Sequence, residues 1–134
     1  MRPAWLLLLS AFCFGLYPLT ATADMRSFLD AVAQVETGGS ANPALARGDS
    51  GRSLGPYQIS WKYWKDSGVG GSYRWVTNKA YAEQVMLAYW RKHCPQALAR
   101  RDYRTLARIH NGGPDGTREP KTSAYWQRVR QAMR

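Results

Sequence analysis

Between Ser27 and Glu36 the apolar residues Phe28, Leu29, Val32 and Val35 recur at helical spacing. The chain therefore predicts a first helix there, capped by Ser27 and ending near Glu36. From Thr37 to Leu54 the pattern dissolves into Gly, Ser, Asn and Pro, which predicts an irregular stretch or a short hairpin. The run "GPYQISWKYWKDSG" predicts a short helical turn packed with aromatics and stopped by Gly68. The strongest helical pattern runs from Thr77 to His93, with Ala80, Tyr81, Gln84, Val85, Ala88 and Tyr89 on one face. Thr77 is its expected cap and Pro95 its stop. A shorter helix follows from Asp102 through "YRTLARIH" to the breakers "NGGP", and "SAYWQRVRQAM" predicts a last amphipathic helix. The fold class expected is α+β and mainly α-helical, with one loop or β-hairpin segment after the first helix.

The N-terminal run changes what belongs to the fold. Arg2 precedes an apolar stretch from Ala4 to Leu16, then Pro18 and the small residues Ala21-Thr22-Ala23. This is the layout of a secretory signal, with cleavage expected after Ala23. The apolar run is shorter than the ~20 residues that span a bilayer, so no stable membrane insertion is expected after cleavage. Two segments result: a signal peptide over 1–23 and one compact domain over 24–134. The predicted location is secreted or periplasmic.

Charge and cysteine narrow the picture further. The 134 residues carry 19 Lys and Arg against 9 Asp and Glu. The signal segment removes only Arg2 from that balance, so the exported domain remains strongly cationic and favours anionic partners. Cys13 leaves with the signal and Cys94 stays alone, so packing rather than a disulfide must hold the domain. His93 and His110 lack the spacing of a metal site, and no Gly-rich phosphate loop follows a strand. Neither a metal nor a cofactor is expected.

Among the nine acids, Glu36 and Asp49 border the irregular segment that could form one wall of a cleft. Asp102 fits a helix cap, Glu83 lies within the long helix, and Asp115 and Glu119 occupy a charged turn. Glycosidic cleavage uses two carboxylates, one protonated to release the leaving oxygen and one ionised beside the developing oxocarbenium. An acid at a helix end against Val35 and aromatics loses hydration and is favoured in its protonated form. Asp49, between Gly48, Ser50, Gly51 and Arg52, would sit among polar groups and remain ionised. The aromatic load, including Trp61, Trp64, Trp75 and Trp126, suits the apolar faces of pyranose rings. The same residues among Arg and Lys also suit single-stranded nucleic acid.

The order of "VETGG", "GPYQI", "HNGGP" and a final "YW" resembles the invertebrate-type (destabilase-like) lysozyme family along nearly the whole exported domain. The resemblance implies a lysozyme-like fold and hydrolysis of the β-1,4 bond between the amino sugars of peptidoglycan. It assigns the acid role to Glu36 and the second carboxylate to Asp49, and makes Tyr57, Gln58, His110 and Asn111 cleft residues. The partner implied is peptidoglycan, and no nucleic acid is expected. Animal members are rich in disulfides, so this chain resembles a cysteine-poor, bacterial or otherwise divergent member. Some members also cleave isopeptide bonds, a role linked to a Ser before "GPYQI" and a Lys directly after it. Here Ser60 holds that place and Lys62 follows two positions later, so that activity is not expected.

Two other readings share these features. A lytic transglycosylase would use Glu36 alone and leave an anhydro end. A non-catalytic cationic module would bind cell wall or nucleic acid with its carboxylates idle. The oligomeric state is left open by the sequence.

Overall fold

The computed structural model describes residues 20–133. Its elements are helix α1 (Thr20–Thr37), strands β1 (Arg47–Gly48), β2 (Ser53–Leu54) and β3 (Ile59–Ser60), and helices α2 (Trp61–Ser67), α3 (Lys79–His93), α4 (Pro95–Arg100), α5 (Tyr103–Gly112) and α6 (Pro120–Ala132). Short 3-10 turns occupy Pro43–Leu45, Asp49–Gly51, Tyr73–Thr77 and Gly116–Arg118. Most of the proposed signal segment lies outside the described residues.

The first helix begins earlier than its pattern suggests. Ser27 is an exposed interior residue rather than the cap, because no Gly or Pro interrupts Thr20 to Arg26. In α3 the cap is Asn78, whose side chain accepts from the Tyr81 N–H, and Thr77 closes the preceding 3-10 turn. The buried face of α3 is Ala82, Val85, Met86, Tyr89 and Trp90. That is the expected face turned by one residue, about 100°, since Met86 and Trp90 offer more apolar area than Ala80 and Gln84. Pro95 ends α3 and also starts α4, which the sequence pattern does not reveal, because proline is well suited to a first helical turn. Asp102 caps α5 as expected, accepting from the Thr105 N–H.

The core joins the helices to the small sheet. Phe28 and Val32 of α1 pack with Trp90, Leu106, Ile109, Tyr125 and Val129, and Tyr57 and Ile59 enter from the sheet side. The buried Trp90 indole is satisfied by the Leu106 carbonyl at 3.1 Å. Helix α6 lies against both α1 and α5. That arrangement carries the end of α1 to the middle of α6.

The turn between α5 and α6 explains one glycine of the "NGGPDG" run. A Cβ on Gly116 would lie 2.1 Å from the Arg108 carbonyl oxygen, so only glycine lets the turn close on α5. Thr122, fully buried at the start of α6, bonds the Gly116 carbonyl and secures the same junction. The sheet is antiparallel in the order β1-β2-β3, with Arg47 opposite Leu54 and Leu54 opposite Ile59. The expected hairpin is thus present, with a third strand that hands the chain directly to α2 through the Ser60 cap.

Candidate active site

Glu36 sits one residue before the end of α1, where Gly38 and Gly39 take positive φ of 61° and 76° and stop the helix. Its side chain is 17 % exposed and faces a cleft of about 360 Å³. Glu36, His110 and Asn111 line the helical side of this cleft. Gly48, Ser53 and Gln58 line the sheet side, and Ser60 and Tyr63 close the wall at the start of α2.

One oxygen of Glu36 is held and the other is open. Oε1 accepts the Tyr125 hydroxyl at 2.7 Å, and His110 Nε2 lies 3.4 Å from the same atom. Oε2 has no hydrogen-bond partner among the described residues. Burial, reinforced by the Glu36 charge, pushes the Tyr125 phenol well above its ordinary value, so it remains a donor. Burial does the same for Tyr63.

His110 is fixed from both sides. Nε2 meets the Tyr57 carbonyl at 3.1 Å, and Nδ1 meets the Tyr63 hydroxyl at 3.1 Å. A carbonyl can only accept, so Nε2 carries a proton, and a neutral ring then accepts the Tyr63 proton at Nδ1. The Nε2 proton is thus given to the Tyr57 carbonyl, with Glu36 Oε1 3.4 Å from the same nitrogen. His110 is both a buried strut and a lining residue of the cleft.

The sheet side is held by Gln58. Its Nε2 donates to the Ala46 carbonyl at 3.1 Å and the Gly55 carbonyl at 2.8 Å. Its backbone takes φ of 49°, an uncommon conformation for a residue with a side chain. A Cβ on Gly48 would lie 2.3 Å from Gln58 Oε1, so Gly48 leaves the room this amide needs. Asp49 follows Gly48 directly and opens the 3-10 turn that joins β1 to β2.

The structure thus gathers Glu36, Gln58, His110 and Asn111 around one cleft. Tyr57 is a correction. Its ring is fully buried, and its hydroxyl bonds half-buried Glu83 Oε1 at 2.6 Å rather than reaching the cleft. Only its carbonyl serves the site, through His110. Glu83 also takes both terminal nitrogens of Arg26, at 2.6 and 2.8 Å, which confirms it as a structural acid. Sequence reasoning missed Tyr125, Tyr63, Gly48, Ser53 and Ser60 as site residues. Tyr125 had a signal in the final "YW", but its role depends on α6 lying against α1.

The Destabilase family model matches residues 26–132. The chain is 37 % identical over 81 residues to a lysozyme of Magallana gigas, a match covering 59 % of this chain and 59 % of that protein. It is 38 % identical over 80 residues to lysozyme 1 of Crassostrea virginica, covering 58 % of this chain and 43 % of that protein. The match thus spans about half the length of these relatives. Among solved structures, the crystal structure of Tapes japonica lysozyme is 28 % identical with a TM-score of 0.65, over 79 % of this chain and 88 % of that one. A chain in the crystal structure of Aeromonas hydrophila PliI in complex with Meretrix lusoria lysozyme is 26 % identical, with the same TM-score and coverage. The fold is lysozyme-like. With a family model covering most of its length and motifs that fall around one cleft, the chain belongs to the Destabilase family, the invertebrate-type lysozymes.

Proposed function

We propose that the protein is a muramidase that hydrolyses the β-1,4 bond between N-acetylmuramic acid and N-acetylglucosamine in peptidoglycan. The observation that carries this reading is the divided state of Glu36: Oε1 is gripped by Tyr125 and faces His110, while Oε2 is open. The Tyr125 donor on Oε1 leaves Oε2 as the oxygen that carries the acid proton. Glu36 then gives that proton to the glycosidic oxygen as the bond to the sugar carbon breaks. Asp49 is the second carboxylate, acting as nucleophile or as ion-pair partner of the positive sugar. Its place directly after cleft-lining Gly48 supports the assignment. Gln58 and Asn111 would contact the sugars.

The leader segment supports export to the periplasm or the exterior, with the mature domain starting at Asp24. No helix among the described residues is long and apolar enough to cross a membrane. The cationic surface would hold the enzyme on an anionic wall, and the scarcity of cysteine suits a bacterial member of the family. Mass analysis of products from purified peptidoglycan tests the reading. Fragments with reducing ends are expected. Anhydro ends would assign a transglycosylase, and no release at all would leave a binding module.

A further inference from the structure

Beyond His110 the cleft adjoins a second hollow of about 850 Å³. The two share Ser60, Tyr63, His110 and Asn111, so whatever lies in the cleft has the hollow at its side. The hollow's lining is aromatic: Tyr63 and Tyr89 stack with ring centres 3.8 Å apart, and His93 lies against Tyr89 at 4.5 Å. Trp61, 56 % exposed, stands at the start of α2 on the same lining.

The charge of this hollow is uneven. Its one acid is Asp66, which Lys92 Nζ and His93 Nε2 hold at 2.5 and 2.6 Å. The bonds from Lys92 and then His93 hold the Asp66 carboxyl below its ordinary value, so its charge is already matched. Lys62 and Lys65 are different. Both are exposed, three residues apart on α2, and neither has an acidic partner among the described residues. An aromatic surface carrying two unmatched ammonium groups suits an anionic ligand with apolar segments. A neutral sugar chain has no use for those charges.

The substrate read above carries such a group. Its muramic acid residues bear a short peptide with free carboxylates, linked through a lactyl ether. We propose that the hollow receives this acidic peptide branch while the glycan lies in the cleft, with Lys62 and Lys65 binding its carboxylates. This rests on the muramidase reading and adds a preference to it: peptide-bearing strands over bare ones. The glycan alone would be cut without any contribution from Lys62 or Lys65.

The test compares the wild type with Lys62→Ala/Lys65→Ala. The probes are peptidoglycan strands with their peptides, strands stripped by an amidase, and the free tetrapeptide. Both lysines are exposed and unpaired, so the fold and the activity on stripped strands should be unchanged. Tetrapeptide binding and kcat/KM on peptide-bearing strands should each fall about three- to tenfold, the scale of two exposed ion pairs. Equal tetrapeptide binding by the two proteins, or equal losses on both kinds of strand, would overturn the proposal. A wild type that cleaves neither strand would defeat the muramidase reading instead, and the tetrapeptide titration would still decide the occupant of the hollow.

Discussion

Tyr125 and Glu36 stand 89 positions apart in sequence, yet the Tyr125 hydroxyl donates to Glu36 Oε1 at 2.7 Å. The contact exists because α6 lies against α1, which brings a buried phenol to the last turn of the first helix. It holds one carboxyl oxygen of a cleft-lining residue and leaves the other without a hydrogen-bond partner among the described residues. Tyr125→Phe keeps the ring in the core and removes only the donor. A hydrogen bond to a charged group contributes about 1.5–3 kcal/mol, so turnover should fall at least about tenfold with little change in KM. Steady-state kinetics on cell walls, beside a melting curve, would check this. An unchanged kcat would mean that Glu36 is oriented without Tyr125.

Gly48 and Gln58 make a second such pair on the opposite wall. Gly48→Ala would place a methyl on the space of Gln58 Oε1 and turn the amide away from the Ala46 and Gly55 carbonyls. Losing these bonds should lower stability by about 1–2 kcal/mol and reduce kcat/KM as the side chain swings into the cleft. Differential scanning fluorimetry and kinetics measure both effects. Full retention of both would show that Gln58 is not a strut.

How much of this was legible in the sequence depends on how local each feature is. Glu36, Gln58, His110 and Asn111 belong to short motifs, and all four line the cleft. Tyr57 belongs to the same "GPYQI" motif and points the other way, because the motif forms a turn in which Gln58 takes a positive φ of 49° and its side chain diverges from that of Tyr57. A motif names both residues and does not say which one is inward. Thr77 was the expected cap, but Asn78, the next residue, takes that place, and the same one-residue shift appears in the buried face of α3. Tyr125 could not be placed at all without knowing which helices pack together.

Glu83 gives a pH dependence of stability. Burial opposes its ionisation, but the bonds from Arg26 and Tyr57 outweigh that and hold the carboxyl below its ordinary value of 4.5. A lowered folded value means the stabilisation is complete above the unfolded value and is lost as pH falls through the folded one. The melting temperature should therefore drop below about pH 4.5. Glu83→Gln should melt lower at neutral pH and show a shallower acid decline. Two parallel curves from pH 7 to pH 2 would assign the acid loss to other groups.

Asp49→Asn should lower turnover by about 10²-fold while leaving wall binding nearly intact. An ionised carboxylate matters most when positive charge develops at the sugar, not in the bound ground state. Pull-down on insoluble peptidoglycan, paired with turnover, separates the two effects. Near-normal rates would point to single-acid chemistry of the transglycosylase kind.

The central claim is that Glu36 is the proton donor, and Glu36→Gln measures it most directly. The amide keeps the shape and can still accept from Tyr125 through its carbonyl, but it cannot give a proton to the departing oxygen. General acid catalysis contributes about 10²–10⁴-fold. Turnover on purified peptidoglycan should therefore fall by at least about a hundredfold, with a melting temperature close to that of the wild type. A folded Glu36→Gln protein that cuts at the wild-type rate would contradict the account.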